Sequence, residues 1–304
     1  MKILKKTNLF AFVLLLLTAF SGCDKKKPEE PVVISLVSTT EVENADGTIV
    51  EALYSDSTRM YFRLLDETTA EVVSYYDFYD YEHESAGWIY RGKVTIPEKF
   101  SHSGKDYTVV GIGDHAFGYF FDGHSLYYAS FVTEVELPNT ITRIGDQAFY
   151  SCDELVSINL PNSLTYIGYA AFDRTGLTSI EVPNSMTEIM HSCFAGCEHL
   201  STVKLPNTIV WIGDWAFGEC PSLTTFEIPE SVESIGMDVF LHSALKSLTC
   251  RPMTPPAKSP YGIIYEGPLF LSDSLETIYV PMQSVEAYKN DYVWSRYADI
   301  IIGF

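Results

Sequence analysis

Val135-Glu-Leu-Pro-Asn-Thr-Ile141, Ile158-Asn-Leu-Pro-Asn-Ser-Leu164, Ile180-Glu-Val-Pro-Asn-Ser-Met186, Val203-Lys-Leu-Pro-Asn-Thr-Ile209 and Phe226-Glu-Ile-Pro-Glu-Ser-Val232 are one phrase written five times. Their prolines recur every 22 or 23 residues. Each phrase runs on to an apolar-Gly pair, Ile144-Gly145, Ile167-Gly168, Ile212-Gly213 and Ile235-Gly236, with Ile189-Met190 in the third copy. A small residue and a Phe follow: Ala148-Phe149, Ala171-Phe172, Cys193-Phe194, Ala216-Phe217 and Val239-Phe240. An earlier copy is legible at Val94-Thr-Ile-Pro97 and Ile112-Gly113 with Ala116-Phe117, and a last half-copy at Leu275-Glu-Thr-Ile-Tyr-Val-Pro281.

The physics of one copy follows from its residue types. Alternation in Ile158-x-Leu160 marks a short strand with one buried face. Proline, lacking a donor, ends it, and Asn-Ser/Thr makes the turn. Ile167-Gly168 is a second extended piece with a glycine bend. The Ala-Phe pair sends a ring into the centre. No copy buries its apolar face alone, so copies must stack. At ~4.8 Å per rung, about seven rungs make a coil on the order of 30 Å long. The fold class is therefore a repeat solenoid, mainly β. Cys152, Cys197 and Cys220 each lie three residues after the Phe, with Thr175 in that slot of the second copy. This column reads as buried, unpaired thiols. His191-x-Cys193-x-x-x-Cys197-x-His199 holds zinc-ligand types, but both thiols occupy core slots, so no metal site is expected.

The run Ile/Val-x-Leu-Pro-Asn-Ser/Thr-apolar-x-x-Ile-Gly-x-x-Ala-Phe-x-x-Cys resembles the BspA-type leucine-rich repeat. The resemblance spans about Val94 to Val280. The ending is similar too: Leu248-Thr-Cys250, Pro255-Pro256, Ile278-Tyr-Val-Pro281, Ser284 to Lys289 and Trp294. Ser284 is placed to cap a short helix over 285–290. The resemblance implies a surface or secreted protein of Gram-negative anaerobes, with adhesion to host matrix proteins or other cells as the associated role.

Outward from the repeats, Lys2, Lys5 and Lys6 precede an apolar run from Leu9 to Phe20, then Ser21-Gly22-Cys23. That pattern is a secretory signal, too short for a bilayer span. Phe20-Ser21-Gly22-Cys23 resembles a lipobox, which makes Cys23 the lipidated first residue of the mature chain. Residues 1–22 are thus the signal and 23–31 a polar, proline-bearing tether. Residues 32–93 form an N-terminal β-cap, 94–250 the repeats, and 251–304 a last half-repeat with a C-terminal cap containing the helix. Within the first cap, Arg59–Leu65 and Thr69–Tyr76 read as a hairpin turning at Asp66-Glu67-Thr68. The expected location is the outer membrane of a Gram-negative bacterium, held by the lipid alone.

Acids outnumber bases 40 to 20 in the 304 residues, for a formal charge of −20, and loss of the three signal lysines makes it −23. Such a chain lacks the basic stripe of a nucleic-acid binder. No nucleophile elbow, zinc-protease or phosphate-loop signature is present, so neither catalytic residues nor a cofactor are expected.

Three surfaces are candidates for binding. On the strand, Glu136, Asn159, Glu181, Lys204 and Glu227 form an outward, mostly acidic column beside a Ser/Thr column. That face would favour cationic partners. Around the Ile-Gly pair, Tyr166, Tyr169, Trp211 and Trp215 would make an aromatic patch if exposed. An insertion between Phe117 and Val135 brings Tyr119, Phe120, Phe121, Tyr127 and Tyr128. The leading reading is a monomeric, adhesin-like scaffold for a host matrix or cell-surface protein. Capture of a glycan by the aromatic patch is the alternative, and a hydrolase with an unrecognised carboxylate pair is the third.

Overall fold

Six phenylalanines stack along the axis of the molecule. Phe117, Phe149, Phe172, Phe194, Phe217 and Phe240 have successive ring centroids 5.0, 5.3, 5.4, 5.5 and 6.0 Å apart. All six are fully buried, and a repeat period of one rung sets their spacing. The computed structural model describes residues 36–44, 47–54, 59–74, 90–118, 120–121, 126–127, 130–258 and 272–304.

Three walls enclose the stack. The first is built by the phrase that precedes each proline, in parallel strands. They pair in three groups: Tyr90–Thr95 with Ser130–Glu136 and Ser157–Ile158; Ser179–Glu181 with Thr202–Lys204; and Thr225–Ile228 with Ser247–Cys250, Thr277–Val280 and Ile301–Gly303. The turn after each proline is pinned to the rung before it. Ser163, Ser185, Thr208 and Ser231 donate their hydroxyls to the carbonyls of Ile141, Leu164, Met186 and Ile209.

The second wall is the Ile-Gly ladder, and here the glycine answers a close approach. A Cβ on Gly145 would lie 2.6 Å from the nitrogen of Asp114, and one on Gly236 would lie 2.3 Å from the nitrogen of Asp214. The bend expected at the glycine falls two residues later. Gln147, Ala170, Ser192, Trp215 and Asp238 adopt positive φ, and so do Ser151, Arg174, Gly196, Glu219 and His242 four residues further on. Left-handed backbone costs a non-glycine residue about 1–2 kcal/mol. What offsets it is the third wall's own ladder: Trp215, Phe217 and Glu219 donate to the carbonyls of Met237, Val239 and Leu241 at 2.9, 2.9 and 2.7 Å.

Met190 occupies a slot that five other copies fill with glycine, and the second wall breaks there. Arg143–Ile144 pairs with Tyr166–Ile167, and Glu188–Ile189 pairs with Trp211–Ile212, but the two groups do not join. A side-chain staircase breaks at the same place. Asp114, Asp146, His191 and Asp214 each accept the N–H of the residue one rung on, at 2.9, 3.0, 3.0 and 2.7 Å, whereas Tyr169 offers His191 no acceptor. The Met190 and His191 amides are therefore expected to exchange with solvent at least about tenfold faster than those of Gly213 and Asp214. Equal protection, read by amide hydrogen exchange, would mean the seam is closed.

At the N-terminal end, β1 (Leu36–Asn44), β2 (Gly47–Tyr54), β3 (Arg59–Leu64) and β4 (Thr69–Val73) run antiparallel in sequence order. After β5 (Tyr90–Thr95), already met in the first wall, β6 (Lys99–His102) and β7 (Lys105–Ile112) form a hairpin. Strand β7 pairs with β4 on one side and with Arg143–Ile144 on the other, so one sheet passes from the cap into the second wall. Glu71, with a side chain only 9% exposed, sits between Arg63 at 3.1 Å and Arg143 at 3.5 Å, across that junction.

At the other end α1 (Val285–Asn290) covers the stack, with Tyr288 and Trp294 fully buried and donating to the carbonyls of Pro252 and Pro256, both at 2.9 Å. Ser284 stands at the start of the helix but does not cap it. Its hydroxyl donates instead to the Met253 carbonyl at 2.7 Å.

Candidate binding surfaces

The outward residues of the first wall form two columns. Glu136, Asn159, Glu181, Lys204, Glu227 and Thr249 make one; Glu134, Ser157, Ser179, Thr202, Thr225 and Ser247 make its neighbour. The acidic column differs electrostatically from its sequence. Lys93 bridges Glu134 and Glu136 at 3.1 and 2.6 Å, Lys204 meets Glu181 at 3.3 Å, and Arg251 grips Glu227 with two nitrogens at 2.6 and 3.0 Å. Each partner comes from an adjacent rung. The face is thus close to neutral on a strongly acidic protein, and the expected pull on cations is spent internally.

Asn159 has a different task. Its side chain accepts from the Leu137 N–H at 2.8 Å and donates to the Leu137 carbonyl at 2.9 Å, replacing a rung of strand pairing. The hydroxyls of the second column are unengaged: among the described residues Ser157, Ser179, Thr202 and Thr225 are exposed, and their side chains make no hydrogen bond within the chain. They differ in this from the turn hydroxyls of Ser163, Ser185, Thr208 and Ser231, which are consumed by the preceding rung. Beside them a shallow groove of about 630 Å³ runs across three rungs, lined among others by Ser157, Ser179, Asn184, Lys204, Ile158 and Leu205.

The aromatic patch does not assemble as one platform. Trp211 is only 8% exposed, held against the second wall with the His191 ring edge-on at 5.1 Å. Tyr166 is half-buried, its hydroxyl donating to Asp146 at 3.1 Å and its ring under the Arg143 guanidinium at 5.6 Å. Burial and the Asp146 carboxylate push its phenol upward. Trp215 is half-buried at a left-handed position, and only Tyr169 stands well out. A tryptophan in a variable slot looks exposed in sequence, and only packing against the neighbouring rung reveals otherwise. In the insertion, Phe120–Phe121 pairs antiparallel with Leu126–Tyr127, while Tyr119 and Tyr128 lie outside the described residues, as do Cys23 and the signal.

The thiols are free and buried at Cys152, Cys193, Cys197, Cys220 and Cys250. Cys152, Cys197 and Cys220 donate to the carbonyls of Phe117, Phe172 and Phe194, each from an earlier rung, at 3.3, 3.2 and 3.2 Å. Burial raises the Cys197 thiol to about 11 and raises Cys193 and Cys220 as well. Of the two histidines near Cys193, His191 turns Nδ1 to the Asp214 amide and His199 is exposed.

Behind the thiols lies Asp173, lifted to about 6 by burial, with Arg174 pulling it down and Glu219 pushing it up. A carboxyl raised above its unfolded value holds its proton longer in the folded chain. Folding therefore binds protons between about pH 4 and 6, and stability falls as pH rises through that window. Asp173→Asn is expected to raise stability at pH 7 by about 1–3 kcal/mol and to change little at pH 4. Thermal melts at the two pH values test this, and an equal effect at both would mean that ionisation is not the cause.

A stack of short parallel strands on period-matched turns, closed at both ends and lined inside by one aromatic column, is a leucine-rich-repeat solenoid. Residues 123–246 match the BspA type leucine rich repeat region in six copies, and this part of the chain is a BspA-type leucine-rich-repeat region. No curated protein matches the chain. Among solved structures it is similar to the T. pallidum leucine-rich-repeat protein TpLRR, at 22% identity and TM-score 0.49, over 82% of this chain and 91% of that one. It is also similar to the pneumococcal vaccine antigen PcpA (19%, TM-score 0.49, 82% and 68%). A third is a leucine-rich cell surface protein of Faecalibacterium prausnitzii (21%, TM-score 0.47, 81% and 72%).

Proposed function

We propose that this protein is a surface lipoprotein whose solenoid binds host or neighbouring-cell proteins through the first wall, without catalysis. The observation that carries the reading is the row of unengaged hydroxyls at Ser157, Ser179, Thr202 and Thr225, on a face whose charges are already paired. Elsewhere the solenoid uses its hydroxyls to hold rungs together. Donors and acceptors left free in register, next to an open groove, suit a polar protein surface that needs no strong charge. The lipobox-like Phe20-Ser21-Gly22-Cys23 supplies the anchor, and the polar tether supplies reach.

Glycan capture by the aromatic patch is the weaker reading, because Trp211 is buried and Tyr166 is engaged. The test is a binding screen of immobilised matrix proteins and glycans against the parent chain and a Ser179→Arg, Thr202→Arg variant. Loss of about tenfold or more in affinity for a protein ligand, with Tyr169→Ala unaffected, is the expected outcome. A glycan hit abolished by Tyr169→Ala alone would move the site to the second wall.

A further inference from the structure

The first wall changes character at its C-terminal end. Along the column that carries Glu227 and Thr249, the next two rungs place Tyr279 and Ile302 outward, in direct register. Phe304 follows, its carbonyl accepting from Met282 at 3.2 Å, and the Met282 sulfur lies against Gly303. Tyr279, Ile302 and Phe304 are 36, 45 and 52% exposed and share the outward side of the wall as one patch. Of the eleven exposed large apolar residues among those described, six lie between Met253 and Phe304. The other five, Val37, Leu65, Val156, Tyr169 and Val210, are scattered. Scattered apolar residues need no explanation, but a contiguous patch of aromatic and aliphatic side chains does.

The charge at the rim indicates the occupant. Arg251 lies over the Phe304 ring at 5.7 Å and is paired with Glu227, so the rim presents a cation and an anion side by side. An isologous contact requires a patch complementary to itself. Here two apolar centres would meet while the Arg251 of each copy faces the Glu227 of the other, with no net change in charge. A chain of net charge −20 repels its own copies over most of its surface. The rim removes that obstacle locally, where the apolar area is also greatest. We infer that the protein forms a two-fold dimer through Tyr279, Ile302 and Phe304, flanked by exchanged Arg251–Glu227 pairs. This replaces the monomer expected from sequence and does not depend on what the scaffold binds.

The experiment is cysteine cross-linking of the full chain in the membranes of a Gram-negative host. The five described thiols are buried, so a new surface cysteine is the reactive one, and the parent chain controls for Cys23. Under oxidation, Ile302→Cys and Tyr279→Cys are expected to give a species of twice the monomer mass, and Ser179→Cys on the same wall is not. Adding Arg251→Glu to Ile302→Cys is expected to cut the dimer by about tenfold or more, since it sets like charges face to face. Sedimentation of the detergent-extracted chain is expected to show tighter association at high salt, as distant repulsion is screened. Absence of the doubled species in both patch variants overturns the dimer, and so does an equal yield from Ser179→Cys. A cross-linked product of any other mass would give the patch to a different protein and would overturn the dimer equally.

Discussion

Phe194→Ala is expected to destabilise the protein by about 3–5 kcal/mol, the cost of emptying a large aromatic site in a packed core. The ring is fully buried and lies nearly parallel to Phe172 at 5.4 Å and Phe217 at 5.5 Å. Removing it costs the transfer of a phenyl group and both ring contacts. The cavity cannot collapse along the axis, because the rung spacing is set by backbone bonds on either side. Phe172 donates to the Cys193 carbonyl and Phe194 to the Ala216 carbonyl, both at 2.9 Å. Urea unfolding measures the loss. Because a solenoid is coupled only through neighbouring rungs, a fall in the slope as well as the midpoint would mean the two halves unfold separately. Phe194→Leu keeps most of the volume and is expected to lose less than half as much. A cost below about 1 kcal/mol for the alanine would show that the stack is not the core.

Gly236→Ala is expected to cost about 1–3 kcal/mol or more through overpacking, in a chain where alanine would ordinarily be the gentler residue. The added carbon would sit 2.3 Å from the nitrogen of Asp214 and 2.4 Å from the carbonyl carbon of Gly213. Both are backbone atoms of the preceding rung and cannot turn away. The nearby bonds, Gly236 N–H to the Ile212 carbonyl at 2.7 Å and Met237 N–H to Asp214 at 2.7 Å, would lengthen together. Gly111→Ala is the control. Its Cβ would meet nothing closer than 3.5 Å, so its stability is expected to stay within about 0.5 kcal/mol of the parent. Equal losses at the two sites would point to unfolded-state entropy and away from the close approach. Met190 is the natural counterpart: the third copy carries a side chain in this slot, and there the ladder is interrupted.

Much of the architecture was legible in the repeated phrase. Proline, the Ile-Gly pair and the small-Phe pair recur at one period, and each has a local role that holds in every rung. The thiol column was legible for the same reason, since Cys152, Cys197 and Cys220 share a slot that a rung's geometry makes internal. The helix was legible in extent, but not the use of Ser284, whose acceptor is a carbonyl 31 residues earlier.

The candidate surfaces were less legible. Which residues point outward follows from alternation, so the hydroxyl and acidic columns could be written down in order. What those residues do once outward depends on the rung beside them. Lys93 neutralises glutamates more than 40 residues away, and Arg251 reaches Glu227 across 24. Trp211 is hidden and Tyr169 is not, though both occupy variable slots.

The sequence by itself therefore determined the period, the strand-turn-strand content of each rung, the aromatic axis and the excess of negative charge. These are properties of one repeat, and periodicity copies them along the chain. Only the tertiary structure decided which charges cancel, which hydroxyls remain free, where the second wall breaks and where the apolar patch collects. Those outcomes are set by contacts between rungs about 23 residues apart or by the closing cap, and a pattern read within one repeat carries no term for either.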